Sequence, residues 1–237
     1  MKPIPVFVGY DPREAIAFHV CANSIIRHAS QPVAIIPVAL NLFQDYTETH
    51  TDGSNHFIYT RFLIPYLMDF DGYAIFIDGD MILKDDIIKL WKLQHIDKDV
   101  IVVKHDYKTK MSKKYLNNPN EDYPRKNWSS VILWNCGSYP NRRLTPEYVQ
   151  QATGADLHRF TWIDDNRVGE LPAVWNWLPD EYGPNQDAKL LHYTLGTPCF
   201  YEFANAPMSD EWHKERTLTE HCEQRIPDEQ LAFFKQK

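Results

Sequence analysis

Tyr73-Ala74-Ile75-Phe76-Ile77-Asp78-Gly79-Asp80-Met81-Ile82-Leu83 is the stretch that decides the fold. Five apolar, largely β-branched or aromatic residues run straight into two acids separated by a glycine. Such a run fits a strand buried on both faces. In an extended chain residues i and i+2 point the same way, so Asp78 and Asp80 would project together, about 7 Å apart along the strand. Gly79 between them would let a bulky ligand approach the backbone. Hard oxygen donors in pairs suit Mg²⁺ or Mn²⁺, ions that commonly bridge to phosphate oxygens. The plainer reading is a surface turn, where Asp-Gly-Asp is ordinary turn chemistry.

Working outward, Ile4 to Val8 reads as a strand ending at Gly9-Tyr10-Asp11. Pro12-Arg13-Glu14 opens a helix to about Ala29, with Asp11 as its N-cap, and Val33 to Leu40 reads as a second strand. This β-α-β opening predicts a parallel pair and an α/β fold, whose sheets bind ligands at the carboxyl ends of their strands. The first strand ends at a helix N-terminus, a natural place for a nucleotide, although no G-x-G-x-x-G is present. Asp11 has two roles open to it, helix cap or contact to a base or ribose.

Asn55 to Asp69 reads as a helix kinked at Pro65, with Arg61 among its apolar residues. Arg61 would either form a salt bridge at the helix edge or face the acid pair or a phosphate. Asp85 to Leu93 predicts a short helix, and Asp99 to Lys104 and Asn127 to Asn135 predict strands. Helices are expected at Thr145 to Ala152 and near Ala155 to Phe160, and a strand at Ala188 to Tyr193. The tail from Pro207 reads as helical. Lys104, Lys108, Lys110, Lys113 and Lys114 fall within eleven residues, followed by Arg125 and Lys126. This basic stretch is either a solvated loop or a lid over a phosphate site.

At 237 residues one domain is expected. A net charge of −7, from 25 basic and 32 acidic residues, argues against a broad nucleic-acid surface. The four cysteines, Cys21, Cys136, Cys199 and Cys222, are widely separated, which points to a reducing compartment rather than a disulfide framework. Met1-Lys2-Pro3-Ile4-Pro5 lacks an apolar leader, and no window reaches membrane-span length, so a cytoplasmic protein without an integral membrane segment is expected. Of ten histidines, His192 is singled out because it ends a late strand as the acid pair ends a middle one. In an open parallel sheet those ends converge, and two aspartates with one imidazole suit Mn²⁺ and tolerate Mg²⁺.

The run Tyr59-Thr60-Arg61-Phe62-Leu63-Ile64-Pro65-Tyr66-Leu67, followed by the apolar strand and Asp78-Gly79-Asp80, resembles retaining glycosyltransferases of family eight. That is the glycogenin and lipopolysaccharide galactosyltransferase group, whose fold is GT-A. Val6-Phe7-Val8-Gly9-Tyr10-Asp11 looks like that family's uridine-binding start, and Ser130-Val131-Ile132-Leu133-Trp134-Asn135 like the core strand after its acid pair. His192-Tyr193 with Gly196 and Pro198 is similar to its closing motif. The resemblance covers residues 4–83 closely and 127–198 more loosely.

The resemblance implies one GT-A, Rossmann-like α/β domain over residues 1–206, with a mixed, mainly parallel sheet. A nucleotide-binding half would span about 1–100 and an acceptor-side half about 101–206, with a helical tail over 207–237. It further implies that Asp78, Asp80 and His192 bind Mn²⁺ or Mg²⁺, which holds the diphosphate of a UDP-linked sugar. Val8, Gly9, Tyr10, Asp11, Arg61, Gly79, Gly196 and Lys126 would meet the donor, and Asp164 and Asp165 the transferred sugar. A glycan hydroxyl would be the acceptor and the product would retain configuration. If the enzyme inverted instead, Asp164 or Asp165 would be the general base. Thr197 stands where the family's closing motif has lysine, and Trp128-Ser129-Ser130 where it has Asn and Gly. Two other readings compete. One is a phosphatase of the haloacid dehalogenase type with Asp78 as nucleophile; the other is a non-catalytic nucleotide-sugar-binding module.

Overall fold

The computed structural model describes residues 2–221. The described residues form eight strands: β1 (Ile4–Tyr10), β2 (Val33–Ala39), β3 (Tyr73–Ile77), β4 (Met81–Leu83), β5 (Val100–Val102), β6 (Val131–Asn135), β7 (Val168–Glu170) and β8 (Leu190–His192). Seven helices accompany them: α1 (Ala15–His28), α2 (Ile64–Leu67), α3 (Ile87–Trp91), α4 (Pro146–Gln151), α5 (Gly154–His158), α6 (Pro179–Tyr182) and α7 (Ser209–Thr219). Six strands form one sheet in the order β2-β1-β3-β6-β5-β7, and β4 pairs with β8 in a separate ribbon. Pairings β1–β2, β1–β3 and β5–β7 are parallel, while β6 runs antiparallel to both neighbours. The sheet is therefore mixed and mainly parallel.

Side-chain alternation divides the core into two layers. Phe7, Phe76, Val100, Val102, Ile132 and Trp134 face one side, packed against Phe62, Leu63, Val149 and Leu157 of the segments around α2, α4 and α5. Val6, Val8, Ile75, Ile77, Ile101 and Leu133 face the other, against Cys21 and Ile25 of α1 and Ile87 and Leu90 of α3. Period-two alternation of apolar residues on both faces is what a doubly covered sheet requires. Trp212 of α7 is fully buried against Val20, Ile82, Leu191 and Tyr193, and Arg27 Nη1 lies 2.7 Å from Glu215 Oε2. No helix among the described residues is long and apolar enough to cross a membrane. Cys21, Cys136 and Cys199 are free thiols; Cys222 lies outside the described residues.

Three local expectations change. Residues 55–69 do not form one helix: turns and a 3₁₀ segment, Thr60–Leu63, precede the short α2, with Pro65 inside its first turn. Proline has no N–H and clashes with the preceding turn, so it starts this helix instead of bending a longer one. The strand near residue 127 begins only at Val131, after the 3₁₀ turn Trp128–Ser130, whose preceding Asn127 has a left-handed backbone (φ 60°). The chain also changes sheets at Asp78-Gly79-Asp80, ending β3 in the main sheet and starting β4 in the ribbon.

Candidate active site

That change of sheet brings the site together. Asp78 remains tied to the main sheet, its N–H donating to the Ser130 carbonyl at 3.0 Å. Two residues later Asp80 belongs to the ribbon: its carbonyl accepts from Tyr193 N–H at 3.1 Å, and Met81 pairs with His192. His192 is thus delivered by the ribbon, not by a neighbouring strand of the main sheet as the sequence suggests. Its Nε2 lies 3.4 Å from Asp80 Oδ1 and 4.0 Å from Asp78 Oδ2. One ligand atom from each of the three residues lies within 4.8 Å of the other two.

The imidazole is oriented from behind. Asn176 Nδ2 donates to Ser130 Oγ (2.8 Å) and to the Asn127 carbonyl (3.3 Å), so its Oδ1 is left to accept from His192 Nδ1 at 2.9 Å. A proton on Nδ1 leaves the Nε2 lone pair facing the carboxylates, the tautomer a metal ligand needs. On the other side Arg61 is buried between Phe57 and Phe76, its guanidinium 5.2 and 4.9 Å from their ring centres. Arg61 Nη1 donates to the Ser129 carbonyl at 3.0 Å and lies 2.7 Å from Asp78 Oδ1. Burial, only partly offset by Arg61, pushes the Asp78 carboxyl up to about 6. Asp80 Oδ1 is buried without a hydrogen-bond donor. An orphaned carboxylate oxygen, a second carboxylate and a directed imidazole lone pair fit a divalent cation such as Mn²⁺ or Mg²⁺.

Around this trio runs a narrow cleft whose lining includes Lys114, Tyr115, Asn127, Ser129, Ser130 and Thr194. It adjoins a cavity of about 510 Å³ bordered by Asp52, Tyr59, Glu121, Tyr123, Lys126 and Arg159. Lys114, Tyr123 and His158 line both. Ser129 Oγ and His158 Nδ1 are 2.7 Å apart, and burial pushes the His158 imidazole down to about 3, so it is neutral. Behind the acid pair, Thr197 Oγ1 donates to the buried Glu14 Oε2 at 2.7 Å. Burial and then the Asp80 charge push the Glu14 carboxyl up to about 8.

The other residues expected at the site are placed differently. Asp164 is exposed, and Asp165, its side chain 83% exposed, is held by Arg125; neither lines the cleft. A 3₁₀ turn, Asp165–Arg167, carries them to the outer edge of the sheet beside β7. The Asp11 carboxylate is occupied by Arg13 N (2.9 Å), Arg13 Nη2 (2.6 Å) and His56 N (3.2 Å). Burial would raise the Asp11 carboxyl, but the Arg13 hydrogen bonds outweigh it and hold the group below its usual range. Val8 is buried in the core, and Tyr10 packs its ring edge-on to Phe18.

Glycine positions are filled by protein. A Cβ on Gly79 would lie 2.3 Å from the Gly9 carbonyl oxygen, so its bareness serves the packing of β1 against the acid turn. The Phe57 ring stands where a Gly9 side chain would go, and the Phe203 ring does the same at Gly196. Lys126 does not line the cleft; its Nζ donates to Asn120 Oδ1 and the Glu121 carbonyl, both at 2.6 Å.

The sequence alone does not single out Lys114, Glu14, His158 or Asn176 as site residues. For Lys114 the signal was the basic run itself; for Asn176 and His158 there was none, because their neighbours are distant in sequence.

No protein-family model matches the chain. Protein CDI of Arabidopsis thaliana is 40% identical over 223 residues, covering 90% of this chain and 86% of that protein. Among solved structures, the galactosyltransferase LgtC, in complex with donor and acceptor sugar analogues, aligns with a TM-score of 0.61 at 13% identity. That alignment covers 97% of this chain and 99% of the other. The glycosyltransferase GlyE of Streptococcus pneumoniae TIGR4 aligns at 0.59 and 15% identity, over 91% of this chain and 60% of its own. The bifunctional WbbM aligns at 0.60 and 17% identity over 91% of this chain, which spans 52% of WbbM. At such identities the likeness is one of fold, that of GT-A glycosyltransferases.

Proposed function

The chain belongs to the family of Arabidopsis thaliana Protein CDI and has the GT-A glycosyltransferase fold, and on that premise we propose that it is a divalent-metal-dependent glycosyltransferase. It takes a sugar from a nucleoside diphosphate donor, UDP-linked, and passes it to a hydroxyl of a glycan acceptor with retention. The observation that carries this reading is the trio of Asp78, Asp80 and His192, with Asn176 holding the imidazole in the ligand tautomer. A Mn²⁺ or Mg²⁺ ion held there would neutralise charge on the departing diphosphate.

The chain's own part is positioning. Arg61 fixes Asp78, and Ser129, Ser130 and Asn127 line the cleft with hydrogen-bonding groups for the transferred sugar. Retention is supported by the metal cleft, whose lining carboxylates among the described residues are Asp78 and Asp80. With both given to the cation, the cleft lining offers no further carboxylate as an inverting base; Asp52 and Glu121 border only the adjoining cavity. The bond from the anomeric carbon to the diphosphate oxygen breaks, the acceptor oxygen bonds on the same face, and the acceptor proton passes to the leaving oxygen. In this reading residues 1–100 form the donor half and 101–206 the acceptor half.

A haloacid dehalogenase-type phosphatase is disfavoured. Its nucleophile would be Asp78, which here is held by Arg61 and His192, and its late acids, Asp164 and Asp165, lie outside the cleft. The test is a thermal-shift screen of nucleotides with and without Mn²⁺, paired with assays of UDP-sugar hydrolysis and p-nitrophenyl phosphate turnover. UDP should raise the melting temperature only with Mn²⁺, and slow release of UDP from a UDP-sugar should follow. Asp80→Ala should abolish both while the protein stays folded. Full activity in that variant, or Asp78-dependent phosphatase turnover, would sink the proposal; binding without UDP release to any acceptor would leave a non-catalytic module.

A further inference from the structure

Resting on the donor reading above, we infer that Lys114 is the residue that binds the donor's diphosphate, a cation carried to the acid pair by the irregular basic loop. Among the basic side chains of that loop, Lys108, Lys110 and Lys113 are exposed to solvent, and Lys104 lies over the Trp128 ring. Just beyond it, Lys126 is satisfied by Asn120 and Glu121, and Arg125 by Asp165. Lys114 alone of these lines the metal cleft, and it also borders the larger cavity. Its ammonium takes no hydrogen bond or ion pair among the described residues. A desolvated, unpaired ammonium is costly unless an anion completes it.

The backbone there is built, not loose. Lys113 bridges to Pro119, Lys114 N–H donates to the Asn118 carbonyl at 2.8 Å, and Leu116 and Asn117 turn the chain with positive φ. Tyr115 N–H donates to the Leu195 carbonyl at 2.7 Å, and its ring stacks on Phe200 at 5.1 Å. Lys114 is thereby fastened to the segment that immediately follows His192, and so to the metal trio.

The charge balance suits a dianionic phosphate ligand. Arg61 and Asp78 neutralise each other, and Asp80 with a divalent cation leaves one positive charge. Lys114 adds the second, which matches the two negative charges of a nucleoside diphosphate ester. A neutral sugar would not need it. Ammonium–phosphate contacts are charge-assisted and belong to the stronger class of hydrogen bond.

The test is calorimetric titration of wild type, Lys114→Met and Lys114→Arg with Mn²⁺ alone, and then with UDP, GDP, ADP and CDP in saturating Mn²⁺. For the diphosphate that wild type binds best, Lys114→Met should weaken binding about 10- to 100-fold. Lys114→Arg should restore most of it, while Mn²⁺ alone binds no more weakly and the melting temperature holds. Unchanged diphosphate affinity in Lys114→Met would overturn the inference and leave the donor reading standing. A parallel loss of Mn²⁺ affinity would overturn it too, since the lysine would then only support the site. If wild type binds none of the four diphosphates, both fall.

Discussion

At the scale of single residues, the candidate metal site depends on side chains outside the trio of Asp78, Asp80 and His192. Asn176 accepts from His192 Nδ1, and through it the imidazole keeps one tautomer and one orientation. Asn176→Ala should lower Mn²⁺ affinity about 10- to 100-fold, the usual consequence of losing a group that orients a metal ligand; an unchanged Mn²⁺ titration would remove Asn176 from that role. Glu14 behaves differently. Its carboxyl, raised from 4.5 to about 8 by burial and Asp80, keeps its proton in the folded protein over a range where the unfolded chain has lost it. Its contribution to stability is present below the unfolded value and is lost as pH rises through about 8. Glu14→Gln keeps the shape and removes the titration, so the fall in stability between about pH 4.5 and 8 should flatten. Denaturant midpoints across that range check this, and a slope equal to wild type would contradict it.

At the scale of elements, the acid turn is where one sheet hands the chain to another. Gly79 makes the crossing possible, because β1 ends with the Gly9 carbonyl against it. A Cβ there meets backbone, which cannot swing aside as a side chain can. Gly79→Ala should therefore cost about 1–3 kcal/mol, read from urea midpoints, with metal binding weakened as Asp78 and Asp80 shift apart. Much of this level was legible in the sequence. The apolar runs of β1, β2, β3 and β6 are strong signals, and Asp11-Pro12 marks the start of the first helical segment. Val168-Gly169-Glu170 has no such run, and it becomes a strand only because β5 offers it a parallel partner. Residues 55–69 carried a helical pattern that Pro65 and the burial of Arg61 overruled.

At the scale of the whole molecule, the site joins parts far apart in sequence: the end of β3, the start of β4, the end of β8, and a loop at residue 114 pinned beside residue 195. The acid pair and His192 could be read as candidates because each ends an apolar segment. Arg61 facing the acid pair was one of the two roles open to it, and the basic run pointed toward Lys114, but Asn176 could not be read, because it owes its place to tertiary packing. The two acids at 164 and 165 show the reverse: the family resemblance suggested chemistry, and the turn after α5 carries them to the sheet edge. Crystals grown with Mn²⁺ and UDP, with the anomalous signal of manganese recorded, test the central claim most directly. The account predicts one strong anomalous peak in coordination contact with Asp78, Asp80 and His192 Nε2, with the diphosphate of UDP on its open side. A peak bound elsewhere, or UDP bound with no manganese at these three residues, would contradict it.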